Sequence, residues 1–265
     1  MSLPSLEAYP ATPSFTPTPR FLAALSSFAR MHATDHAAPA AQTYHSTLDA
    51  YCRKLATHWP ADGTDGERIS TGPSEAVLLA ANCQHIRRWE HPRSTYPEGL
   101  SGYKMWRTSL NRFHADIAIS VLTSSGYSQE DPQDAELIER VRALLLKKTL
   151  ARPPLPVVEE LKDPEAHLFE DAVCLAFLAL EFAKFAQPYL AASTSPSPSP
   201  SIASDPSAAA PAASAPSPHV NPEKLVGIVS KTWAKMTSVG RNVAVEELVG
   251  TLPEDLKAVV FKAVS

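Results

Sequence analysis

Two histidines and a pair of carboxylates stand in this chain where apolar helices would ordinarily carry Leu or Ala. His85 lies in Gln84-His85-Ile86-Arg87-Arg88-Trp89, at the end of an apolar run. Arg88, three residues on, is its neighbour on a helix, and a polar, solvated helix end would account for both. Arg107, Asn111 and His114 follow at offsets of four and three, which places them on one helical stripe. On a buried face each of them needs a partner; on a solvated face none does. Glu170 and Asp171 open the most apolar segment of the chain, with His167 four residues before Asp171. Carboxylates there cap a helix, pair with Arg or bind metal, and favourable charge at a helix N-terminus is the simplest account. Two histidines and a carboxylate from three helices suit an octahedral N/O site for Mn, Fe or Mg, or Zn with an open position. Such an ion activates water at neutral pH, with Glu170 and Asp171 as the catalytic carboxylates.

A second constellation adjoins the first. Between Arg87 and Arg112 there are six basic residues, opposed only by Glu90 and Glu98, and Trp89, Tyr96, Tyr103 and Trp106 are interleaved with them. Guanidinium groups beside aromatic rings suit a phosphate or nucleotide through bidentate contacts and stacking, with Arg88, Arg93, Tyr103 and Arg107 as the substrate-binding set. The same residues would equally hold a long loop together by ion pairs and cation–π contacts.

The elements that must position these groups read as helices throughout. Apolar residues recur at helical spacing over Arg20–Arg30, Thr43–His58, Pro73–Trp89, Gly102–Ser124, Asp134–Leu150, Pro164–Phe185, Asn221–Lys235 and Val243–Val264. Thr71 is placed to cap the third, and Pro60 and Arg152-Pro153-Pro154 end the second and fifth. His32–Ala41 reads as loop, and no alternating strand pattern is present. The fold expected is therefore all-α, a bundle of about eight helices. Met1–Pro19 carries five prolines and reads as a disordered arm. From 191 to 218, 25 of 28 residues are Ala, Ser or Pro, too little apolar surface to offset the entropy of ordering. The organisation expected is an arm over 1–19, a helical domain over 20–190, a linker over 191–218, and C-terminal helices over 219–265 that pack back on the domain.

Composition narrows the partners. In 265 residues, 24 Lys and Arg meet 28 Asp and Glu for a net charge of −4, which gives no sign of a nucleic-acid or anionic-membrane binder. No apolar run reaches the roughly 18–20 residues needed to span a bilayer. With 9 glycines against 25 prolines, glycine-rich phosphate loops are not expected. Cys52, Cys83 and Cys174 form no CxxC pair, and a sparse, odd count fits a reducing, cytoplasmic setting.

SEAVLLAANCQHIRRWEHPRSTYPEGLSGYKMWRTSLNRFHADIA, then LFEDAVCLAFL, then KTWAKM, resemble in order the family known as domain of unknown function 4202, which carries no established activity. More distantly, the order of elements is similar to the HD superfamily of metal-dependent phosphohydrolases. That resemblance implies an HD-like helical bundle with a divalent metal held by His45 in QTYHSTLDAYCRKLA, His85, His114 and Asp171. The Asp of the family's His-Asp pair is here Ile86, which cannot ligate metal, and Lys147-Lys148 stands where a further His belongs. Lys235-Met236-Thr237-Ser238 also resembles the start of the KMSKS loop of class I aminoacyl-tRNA synthetases. With no HIGH motif and no Rossmann pattern, glutamyl-tRNA synthetase activity is not expected. The sequence supports a metal-dependent phosphohydrolase for a phosphate ester or nucleotide. The alternative is a non-catalytic module with a degenerate HD site that binds an anionic ligand or a protein.

Overall fold

The computed structural model describes residues 16–60, 72–191 and 222–265, and every regular element among them is helical. The greater part of the N-terminal arm, the Ala/Ser/Pro segment from residue 192 and the expected cap Thr71 lie outside the described residues.

Helix α1 (Pro19–His32) starts where Thr18 Oγ1 accepts the Phe21 N–H at 3.2 Å, with Pro19 in the first turn, where its missing N–H costs nothing. Phe21, Ala24, Phe28 and His32 form its buried face. Helix α2 (Ala38–His58) begins one turn earlier than Thr43, and Tyr44, Leu48, Tyr51, Cys52 and Leu55 line its inner side. Ser74 caps α3 (Glu75–Cys83) by accepting the Val77 N–H. The apolar pattern extends α3 to Trp89, but the helix ends at Cys83 because Arg87 turns left-handed, with φ 50°. Arg88–Glu90 and Arg93–Thr95 follow as single 3₁₀ turns.

Helix α4 (Gly99–Ser124) lies against α5 (Pro132–Leu146), which Lys147 closes in the left-handed region rather than at Leu150. Helix α6 (Pro164–Leu180) is buried almost throughout and packs on α2 and α3. It ends before Glu181, and α7 (Phe182–Ala191) continues as a separate element. The C-terminal segment forms α8 (Pro222–Lys235), α9 (Ser238–Val243), one π turn (Ala244–Leu248) and α10 (Glu254–Val264). Here α8 lies on α6, α7 and α10, and α9 touches α2 and α6.

The entry to α6 is fixed by charge. Arg140 on α5 donates to both oxygens of Asp163, at 2.7 Å each, and to Glu165 at 2.9 Å. Glu165 also accepts the Ser74 N–H at 3.1 Å, which ties the starts of α3 and α6 together. Burial alone would raise the Asp163 carboxyl, but the Arg140 guanidinium outweighs it and holds the group at about 2. Asp163 in turn caps α6 by accepting the Ala166 N–H at 3.0 Å. The helix therefore opens a full turn and more before Glu170 and Asp171. Those two carboxylates are buried in mid-helix, out of reach of the N-terminal dipole that the sequence offered as their simplest account. All three cysteines are buried core residues, and no helix among the described residues is long and apolar enough to cross a membrane.

Candidate functional site

The site is assembled where α1, α2, the turn after α3, and α4 meet. His32, at the end of α1, stacks on His45 of α2 with ring centroids 3.7 Å apart. Tyr44 stacks on His85 at 4.7 Å, and His85 lies 6.0 Å from His114 of α4. The left-handed Arg87 is what brings the next residue in. Arg87 itself stays outside, in a bidentate pair with Glu90 at 2.7 and 2.5 Å, while Arg88 turns inward over Trp106, 5.2 Å from the ring centroid. A left-handed non-glycine residue costs of order 1–3 kcal/mol, and such strain concentrates at ligand sites. Trp106 and Leu110 form a small separate core with Tyr96, Tyr103 and Phe113, pinned by the Trp106 indole N–H donating to the His91 carbonyl at 2.9 Å.

The cluster is imidazole-rich and uncharged at its histidines. His45 Nδ1 donates to the Ala41 carbonyl at 2.6 Å, so Nε2 is the acceptor, and it receives the His85 backbone N–H at 3.4 Å. Burial, then the neighbouring His32, pushes His45 down to about 3. Burial, then the positive charge of Arg88, holds His85 and His114 well below the usual range for His. Arg88 is itself pushed down to about 10, first by burial and then by Arg107; Glu181 and Tyr44 oppose the shift. Burial and the charge of Glu181 drive the Tyr44 phenol well up, so it is a neutral O–H.

Five polar atoms here are buried without a hydrogen-bond partner among the described residues: His32 Nδ1, Tyr44 Oη, Arg88 Nη1 and Nη2, and His114 Nε2. Buried donors and acceptors are nearly always paired in native proteins, and an unpaired one costs about 1–3 kcal/mol. Four of the five lie on Tyr44, Arg88 and His114, and the charge of Arg88 acts on both of the others, which leaves hydrogen-bonding capacity for a ligand to complete.

The structure separates the sequence candidates. It brings His45, His85, His114, Arg88 and Arg107 into one electrostatic neighbourhood. Arg93 lies elsewhere, donating to the carbonyls of Tyr96 at 2.9 Å and Pro97 at 2.7 Å, where it holds the loop before α4. Tyr103 stands 5.9 Å from Trp106. Glu170 pairs with Lys147 Nζ at 2.5 Å. Burial would raise its carboxyl, but Lys147 and Lys235 hold it below the usual range. Asp171 is committed to the C-terminal segment. Its Oδ1 accepts the Thr237 N–H at 2.9 Å and its Oδ2 the Thr237 hydroxyl at 2.5 Å, just where Thr237 caps α9. The resemblance of Lys235-Met236-Thr237-Ser238 to a synthetase loop thus has a structural account: Met236 is fully buried and Thr237 is a cap.

A metal held jointly by His45, His85, His114 and Asp171 does not fit this arrangement. Both nitrogens of His45 are used, both oxygens of Asp171 are taken by Thr237, and Ile86 is fully buried in the apolar core. Among the described residues, no group of three or more His, Cys, Asp or Glu side chains could hold a metal ion.

Asp171 also dictates Gly240. A Cβ at Gly240 would lie 2.5 Å from Asp171 Cγ and 2.6 Å from Oδ2. Gly240→Ala is expected to lower stability by about 1–3 kcal/mol, the cost of overpacking a filled site. Urea denaturation measures this, and an unchanged midpoint would show that the two helices slide apart freely.

Sequence reasoning missed His32, Tyr44, Lys147 and Glu181 as parts of this region. Tyr44 had a signal: it continues by one turn the inward stripe of Leu48, Tyr51, Cys52 and Leu55. His32 fell in a segment too small and polar to show periodicity.

Fold and cluster define a class: an all-helical protein with a buried site of neutral imidazoles, a phenol and guanidinium groups. The chain belongs to the DUF4202 family, a domain of unknown function, whose model matches residues 23–194. The match spans the whole histidine and arginine cluster and stops before Lys235 and Thr237. No curated protein and no solved structure matches the chain.

Proposed function

We propose that this protein is a phosphohydrolase-like protein that binds a small phosphate ester or nucleotide phosphate at the Tyr44–Arg88–His114 cluster. The observation that carries the reading is the set of four buried, partnerless polar atoms on those residues. A phosphate supplies acceptor oxygens for the two Nη groups of Arg88 in the bidentate geometry guanidinium favours. It accepts the Tyr44 O–H as well, and Arg107 adds a second positive charge nearby. The HD-like order of His45, His85, His114 and Asp171 along the chain supports descent from a phosphohydrolase whose metal site has been rebuilt around arginine. Binding without turnover would make the chain a non-catalytic anion-binding module.

Thermal unfolding with inorganic phosphate, a phosphate monoester and a nucleoside monophosphate tests the binding. At about 100 times Kd a ligand adds about 2.7 kcal/mol to the native state, which moves Tm by roughly 5–10 °C for a chain of this size. Sulfate at equal ionic strength controls for screening of surface charge. No shift with any of the phosphates would overturn the proposal.

A further inference from the structure

We propose that His114 Nε2 is a nucleophile that takes a phosphoryl group, so that this site works through a phosphohistidine with guanidinium groups in the place a metal would occupy. The inference rests on the phosphate site proposed above and adds its chemistry.

Three observations converge on His114. Its Nε2 is buried and has no hydrogen-bond partner among the described residues; His32 Nδ1 shares that state but its ring is anchored by Nε2 donating to the Asn82 carbonyl at 2.8 Å, and His45 is anchored by Nδ1 donating to the Ala41 carbonyl at 2.6 Å. Its strongest charged neighbours are Arg88 and Arg107. Those guanidinium groups disfavour a second proton on the imidazole, which leaves a lone pair to attack, and they favour the phosphoryl oxygens that would arrive beside it. Arg88 also presents two Nη groups without a partner among the described residues, the feature expected where charge spread over equatorial phosphoryl oxygens is met by guanidinium and not by a metal ion. His85 lies 6.0 Å from His114 and is kept neutral by burial and then by Arg88, so it adds no further positive charge beside His114.

The step balances with an acyl phosphate as donor. The Nε2 lone pair attacks phosphorus, the P–N bond forms, and the P–O bond to the acyl group breaks. The leaving carboxylate keeps that electron pair and needs no proton. The imidazole retains its Nδ1 proton and carries the positive charge. Water then adds to phosphorus, the P–N pair returns to Nε2, and both water protons leave on dihydrogen phosphate. A phosphate monoester follows the same course when its leaving oxygen is protonated: the neutral Tyr44 O–H gives that proton and recovers it from the attacking water, whose other proton leaves on hydrogen phosphate.

The test is rapid-quench mass spectrometry of the full chain after mixing with acetyl phosphate at neutral pH. The expected result is one phosphoryl group per chain, stable in alkali and lost in acid as a P–N bond is, located on the peptide carrying His114. His114→Gln is expected to lower the label at least roughly 100-fold, the scale of removing a nucleophile. His36→Gln, an exposed histidine outside the cluster, is expected to change nothing. Circular dichroism and Tm establish that His114→Gln is folded, and in the wild type the peptide assignment stands independently of that variant. If phosphate raises Tm but no acid-labile label forms, or the label sits on another residue, the nucleophile is wrong and the phosphate site stands. If phosphate leaves Tm unchanged and no label forms, both readings fall.

Discussion

Arg88→Met is expected to make the ligand-free protein more stable while abolishing its response to phosphate. The guanidinium is withdrawn from water with neither Nη group hydrogen-bonded among the described residues, and the like charge of Arg107 acts on it. Replacing a poorly compensated buried ion with an apolar side chain of similar length is often neutral or stabilising by about 1–4 kcal/mol. Loss of the contact with Trp106 at 5.2 Å subtracts about 0.5–2 kcal/mol. The net expectation is a gain of roughly 1 kcal/mol in urea denaturation, together with loss of the phosphate-dependent rise in Tm. A purely structural arginine behaves in the opposite way. Removing one partner of a working buried pair costs about 3–5 kcal/mol, so a loss on that scale would assign Arg88 to a pair with Glu181 and end the ligand reading. The variant carries an independent readout in the histidines. His85 and His114 are held down first by burial and next by Arg88, so both are expected to titrate at higher pH once the charge is gone, which NMR of the ring protons follows.

Asp171→Ala is expected to cost about 3–5 kcal/mol, because it leaves the Thr237 N–H and hydroxyl buried without their acceptor and opens a void against Gly240. The damage should be local to the C-terminal helices. Limited proteolysis is expected to cut within 222–265 while the helices around His114 stay protected; uniform loss of protection would show that the two regions unfold as one. The same group gives a pH dependence of definite sign. Burial pushes the Asp171 carboxyl up to about 7, against the bonds from Thr237 that favour ionisation. Its unfolded value is about 3.9, so between about 4 and 7 the native chain keeps a proton that the unfolded chain has lost. Stability from this group therefore falls as pH rises through that window and is flat above it. The neutral histidines work the other way: below about 6.5 the unfolded chain takes up protons that buried His45, His85 and His114 refuse. The difference between wild type and Asp171→Asn isolates the carboxyl, and the alkaline-going loss is expected in the wild type alone.

Much of this architecture was legible along the chain. The 3.6-residue recurrence of Phe21, Ala24 and Phe28, or of Leu48, Tyr51, Cys52 and Leu55, reports which face is buried, and proline marks several helix starts. The ends were less legible, because a cap is a local backbone event. Nothing in the residue types about Arg87 or Lys147 announces φ values of 50° and 55°, so the apolar pattern alone runs α3 and α5 past their ends. The candidate site was legible in its members more than in its grouping. His85, His114, Arg88 and Arg107 stand out because polar residues on apolar faces need partners.

What those partners are was decided only in three dimensions. Glu170 and Asp171 are adjacent in sequence, yet successive helical side chains diverge by about 100°, so one meets Lys147 and the other meets Thr237. Spacing along one helix cannot show which distant segment arrives at each face. The chain by itself determined an all-helical fold and a cluster of histidine and arginine that burial would have to accommodate. Only tertiary packing turned Arg88 inward, set His114 beside it with an Nε2 that has no partner among the described residues, and committed Asp171 to a clamp on Thr237. The reason is physical: helical periodicity is a property of near neighbours, whereas burial, pairing and pKa are set by whatever the rest of the fold brings within a few ångströms.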